Sequence, residues 1–115
     1  MKIRSRQQNS IVILDLDGKI TMGVGDRELR EAIDKLILAG EHKGLLNFSG
    51  VTYIDSSGIS ELVQSFKALR NLGGSLKIEN PSNKVYSTLQ IAKLLPIFEI
   101  FDSEEAAVGS FGKAS

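Results

Sequence analysis

Short apolar runs alternate with stretches whose apolar residues recur every three or four positions, and Gly, Asn or Pro stands at most junctions. That alternation constrains the fold most, because a short apolar run bounded by turn residues suits a buried strand, whereas an i, i+3, i+4 stripe suits a helix with one buried face. Residues 2–8 alternate weakly, as an edge strand does. Residues 10–16, with Ile11, Val12, Ile13 and Leu14, read as a buried strand stopped by Asp17-Gly18, and the two runs are close enough to pair as a hairpin through Gln8-Asn9. From Asp26, the residues Leu29, Ala32, Ile33, Leu36 and Ile37 form a helical stripe that ends at Gly40. A strand over 43–48 follows, then Ser49-Gly50 and an extended approach over 51–54. Ile59, Leu62, Val63, Phe66 and Leu69 make a second stripe ended by Gly73-Gly74.

The pattern then repeats. A strand over 75–79 stops at Asn80-Pro81, and Ser82 or Asn83 can cap a third helix carrying Val85, Leu89 and Leu94 before Pro96 breaks it. A last strand is expected over 97–101. Asp102 or Ser103 can cap a final helix, with Glu104 and Glu105 in the first turn, where the helix dipole favours acids. Strands separated by helices demand right-handed crossovers. The expectation is therefore an α/β fold, a single domain over 1–115, with a mainly parallel central sheet, an antiparallel N-terminal edge strand and about four helices.

Composition excludes several classes of function. Fourteen basic and fourteen acidic residues leave no positive excess for neutralising phosphates, so no nucleic-acid partner is expected. Cysteine is absent, which removes thiolate catalysis and cysteine-ligated zinc. The first residues, Met1 to Arg6, lack the apolar core of a signal peptide, and the apolar runs are too short to span a bilayer. No membrane partner and a cytoplasmic location are the expectations.

The turn Asp55-Ser56-Ser57-Gly58 is the leading candidate site, because ligands and chemistry in α/β sheets gather where strands end and helices begin. Unpaired N–H groups at such a helix start accept a cap or an anion. One cap would suffice, yet three capping residues stand in a row, and Gly58 keeps the backbone approachable. From the residues alone, an ordinary cap and a functional turn remain equal alternatives.

Other constellations are weaker. A serine nucleophile needs a base and an orienting partner, but the single histidine, His42, sits in the turn-like Glu41-His42-Lys43-Gly44, and no G-x-S-x-G elbow occurs. No enzyme activity is expected. Asp15, Asp17 and Asp55 could suggest a magnesium site, although acids at strand ends are commonly just solvated. Gly23-Val24-Gly25 has Glu28 where the third glycine of a dinucleotide fingerprint would fall, and reads instead as a flexible loop before the first helix. No cofactor is expected.

The segment from Phe48 to Ile59, Phe48-Ser49-Gly50-Val51-Thr52-Tyr53-Ile54-Asp55-Ser56-Ser57-Gly58-Ile59, with the following helix and Gly73-Gly74, resembles the signature of the STAS domain of bacterial anti-sigma factor antagonists. Gly18-Lys19-Ile20-Thr21 and Asn80-Pro81-Ser82 extend the resemblance over most of the chain. It implies that Ser56, the first serine of the tetrad, is phosphorylated by a partner that is both anti-sigma factor and serine kinase, and that a serine phosphatase resets it. It also implies a partner-binding surface of Thr21, Asp55, Ser56, Ser57, Gly58, Ile59 and Glu61. Two features depart from the family pattern: Thr21 stands where many members carry an acid, and Ile59-Ser60-Glu61 replaces a second small glycine-containing step. An alternative within the family is a STAS subunit of a stress-signalling scaffold or lipid-transport complex with a constant partner.

Overall fold

The computed structural model describes residues 1–94 and 96–112; of the domain expected over 1–115, position 95 and positions 113–115 lie outside the described residues. The elements run β1 (Lys2–Gln8), β2 (Ile11–Ile20), α1 (Gly25–Leu38), β3 (Lys43–Ile54), α2 (Ser56–Asn71), β4 (Ser75–Glu79), α3 (Asn83–Ile91), β5 (Ile100–Phe101) and α4 (Glu104–Gly112). One sheet has the order β1-β2-β3-β4-β5, antiparallel between β1 and β2 and parallel thereafter. This is the mixed sheet that the sequence alternation predicts.

Each parallel step moves the same way across the sheet, so right-handed crossovers put α1, α2 and α3 on one face. There Leu29 and Ile33 of α1, Leu62 and Leu69 of α2, and Val85 and Leu89 of α3 join one core with Leu14, Leu46, Leu76 and Ile78 of the strands. Among the described residues, the other face receives α4 alone, whose Ala107 and Phe111 cover Ile11, Ile13 and Leu45. Adjacent strand residues point to opposite faces. Leu45 and Leu46 therefore serve different cores, which is why the start of β3 is buried on both faces, whereas Asn47 and Ser49 alternate with buried Phe48 further on.

Several boundaries differ from the expected ones, each for a local reason. Gln8 pairs with Ile11, so the hairpin turns through Asn9-Ser10, with Asn9 at φ 57°, a region that Asn tolerates. β2 continues past Asp17-Gly18 to Ile20 because Gly18 takes φ 122° and the ladder with β3 shifts register there instead of ending. Opposite it, Gly50 lies so close to β2 that a Cβ would stand 2.7 Å from the Leu16 carbonyl oxygen, and 43–54 is one strand. The third helix ends at Ile91; Lys93 at φ 60° then turns the chain, and the Leu94 N–H returns to the Leu89 carbonyl. The last strand keeps only Ile100–Phe101, because Phe98 turns into the core and packs edge-on to Phe66 at 5.0 Å.

Candidate functional site

Two helix starts converge on the end of β2. A Cβ on Gly25, the first residue of α1, would strike the Lys19 carbonyl oxygen, and one on Gly58, in the first turn of α2, would strike that of Ile20. Only residues without a side chain permit both approaches. The stretch Gly23-Val24-Gly25 is thus part loop and part packed helix start.

Asp55 joins the two. It is the N-cap of α2 in extended conformation; its Oδ1 accepts the Gly58 N–H at 2.9 Å and its Oδ2 accepts the Met22 N–H at 3.0 Å. Of the three consecutive capping candidates, the carboxylate therefore does the capping. Those backbone hydrogen bonds, Gly58 first and Met22 second, hold the Asp55 carboxyl below its usual range. The Asp55 N–H in turn donates to the Ile20 carbonyl at 3.3 Å.

Freed from capping, Ser56 opens α2 as an exposed residue, while Ser57 is half-buried. Thr21 is half-buried beside Met22, and its carbonyl accepts the Asp26 N–H at 3.0 Å, which ties the loop to the first turn of α1. Ile59 leans partly into the main core. Glu61 does not face outward with Ser56: its side chain is 12% exposed and its Oε1 lies 3.7 Å from Arg30 Nε of α1. Burial raises its carboxyl above the usual range, against the pull of Arg30. Its charge is directed between the helices.

The sequence reading overlooked the tip of the β2–α1 loop. Met22 is 73% exposed and Val24 62%, both adjacent to the turn that Asp55 holds. Two apolar residues among loop glycines were the available signal. Tyr53 is also exposed, with Lys84 Nζ 5.5 Å from its ring centroid.

The remaining candidates do not assemble. Asp15 is bound by Arg6 and Asn47, Asp17 is exposed on the same strand, and Asp55 caps α2; no group of three potential metal ligands occurs among the described residues. His42 precedes β3 whereas Ser56 follows it, so a twelve-residue strand separates them. Among the described residues, no helix is long and apolar enough to cross a membrane.

A five-stranded mixed sheet with three helices on one face, and an Asp-Ser-Ser-Gly turn opening the second, defines a class. The chain belongs to the STAS domain family, whose profile matches residues 2–107. It is 38% identical over 58 residues to the anti-sigma-B factor antagonist of Bacillus subtilis, a match spanning 50% of this chain and 53% of that relative. The anti-sigma F factor antagonist of Paenibacillus polymyxa is 22% identical over 109 residues, 94% of this chain and 92% of the relative. Solved structures of SpoIIAA, one of the anti-sigma factor antagonist in its unphosphorylated form and one of the Bacillus cell fate determinant in its phosphorylated form, share the fold. Their TM-scores are 0.73 and 0.72 at 18% and 22% identity, covering 99% and 95% of this chain and 100% and 98% of theirs.

Proposed function

We propose that this protein is an anti-sigma factor antagonist that works by partner switching, binding an anti-sigma factor with serine kinase activity and letting go when Ser56 is phosphorylated. The observation that carries this reading is the exposed Ser56 hydroxyl at the start of α2, left over from capping because Asp55 fills that role. Thr21, Asp55, Ser57, Gly58 and Ile59 surround it as the partner-binding surface. Glu61 completes that surface, with its carboxyl turned toward Arg30 of α1. A serine phosphatase restores the binding state.

The physical switch is a change of charge at a packed interface. A phosphate adds about −1.5 to −2 charges and three acceptor oxygens. The positive end of α2 tolerates that charge, so the fold survives. Binding is lost because the dianion is bulky, is costly to desolvate, and stands beside the ionised Asp55. Each tenfold loss in affinity needs only about 1.4 kcal/mol. The protein acts as a substrate and not as a catalyst, since its only histidine stands at the far end of β3.

Incubation with the kinase partner and ATP should place one phosphate on Ser56, read by mass spectrometry, and dissolve the complex. Ser56→Ala should stay bound and unmodified. Undiminished binding by Ser56→Asp would count against the switch.

A further inference from the structure

On the open face of the sheet, a line of charged and polar groups runs from β1 to the start of α4. Arg6 Nε and Nη2 donate to both Asp15 oxygens at 2.8 and 3.0 Å, and Arg6 Nη1 donates to Glu104 Oε2 at 2.9 Å, with Nη2 on Oε1. Asn47 Nδ2 donates to Asp15 Oδ1 at 2.8 Å. Glu79 of β4, 1% exposed, faces Glu104 from beneath. Its Oε1 accepts from Asn80 Nδ2 at 3.0 Å, and its buried Oε2 has no donor among the described residues.

Asp15 and Glu104 thus share the Arg6 guanidinium, and Glu79 feels it only through charge, without a bond. Among the described residues, Arg4, paired with Asp15 across β1 and β2, adds its charge at the Asp15 end, and Lys77 is committed elsewhere: its Nζ binds Ser110 Oγ at 2.8 Å and Glu99 at 2.9 Å and lies 4.6 Å from the Phe111 ring centroid, toward the far end of α4. Phe101, which is in register with Glu79 on β5, is uncharged, and Asp102 after it is exposed. Two facing carboxylates cannot hydrogen-bond, because each can only accept. One proton removes a buried charge and turns the orphan oxygen into a donor.

We infer that Glu79 holds a proton and donates it to Glu104, so that the start of α4 is latched to the sheet by a bond that opens when this proton is lost to solvent. Burial, and then Glu104, push the Glu79 carboxyl up to about 7, while Arg6 holds Glu104 below the usual range. The latch is therefore closed in mild acid and opens as pH rises through neutrality. α4 is suited to such release because its apolar hold is small, resting on Ala107 and Phe111 with partly buried Val108 beside them. Lifting it uncovers Ile11, Ile13 and Leu45.

Carbon-detected NMR of the full chain with labelled glutamate, titrated from pH 4 to 9, reads the proton directly. Glu79 should titrate near neutrality, whereas an ordinary glutamate titrates near about 4.3. Hydrogen exchange, corrected for intrinsic rates, should show the opening constant of α4 rising about tenfold between pH 5.5 and 6.5 and levelling off above about pH 8. Glu79→Gln, which keeps a donor for Glu104 and an acceptor for Asn80, should abolish that dependence. Should Glu79→Gln fail to fold, Glu104→Gln provides the second arm, and should lower the Glu79 titration. An ordinary Glu79 titration, or wild-type pH dependence in either variant, overturns the proposal.

Discussion

Replacing Gly58 by alanine should destabilise this protein, although the same change in a free helix would stabilise it. A methyl at position 58 would strike the Ile20 carbonyl oxygen and stand 2.8 Å from Ile54 Cγ1 and 2.9 Å from Ile20 Cγ2. The nearest obstacle is backbone, which cannot swing aside as a side chain can. Overpacking of this kind costs about 1–3 kcal/mol, and the upper part of that range applies where backbone must move. Helix propensity returns up to about 1 kcal/mol when glycine becomes alanine. The net loss is about 1–2 kcal/mol, or a fall in Tm of roughly 4–10 °C for a chain of this size. Gly109 is the internal control, since it lies within α4 and nothing stands within 4 Å of its added Cβ. Gly109→Ala should gain about 0.5–1 kcal/mol. Urea unfolding followed by circular dichroism measures both. If Gly58→Ala matches or exceeds the wild type while Gly109→Ala gains, the close approach of α2 to β2 is refuted, and so is the glycine's role in setting the Ser56 turn.

Asp55→Asn keeps an oxygen acceptor for the Gly58 N–H but places an amide against the Met22 N–H; Met22 exchange should quicken while the first turn of α2 stays protected, as read by hydrogen exchange with NMR. Leu62→Ala, at a fully buried position of the main core, should cost about 2–5 kcal/mol in urea unfolding. Arg6, and secondarily Asn47, hold the Asp15 carboxyl below its usual range, so its stabilisation is present above the unfolded value and disappears as pH falls through the folded one. Asp15→Asn should accordingly be less stable than wild type at pH 7, and the gap should narrow below about pH 4 in denaturant midpoints taken across pH.

The parts of the fold legible in sequence are those encoded by local periodicity. The stripes at Leu29-Ile33-Leu36 and Leu62-Leu69 bury as their spacing demands. Strand ends were harder to read, because glycine marks both a stop and a bulge. Gly18 and Gly50 belong to the second kind, and whether a ladder continues past them depends on the facing strand. At the turn, the sequence contained Asp55, Ser56 and Ser57 but did not say which would cap; that follows from the side-chain geometry toward Gly58 and Met22.

The sequence by itself determined the order of strands and helices, the exclusion of cysteine chemistry, and the presence of two hydroxyls at the start of the second helix. Each rests on interactions between residues a few positions apart, or on the absence of a residue type. Only the tertiary structure decided which groups face one another across long separations. It sent Glu61 to Arg30 rather than to the surface, and exposed Met22 and Val24 beside the turn. It also brought Arg6 to Glu104, 98 positions away, so that the start of α4 lies beside Glu79, whose buried Oε2 has no donor among the described residues. Burial and charge pairing depend on how the sheet and its helices close, and short-range sequence pattern does not encode that.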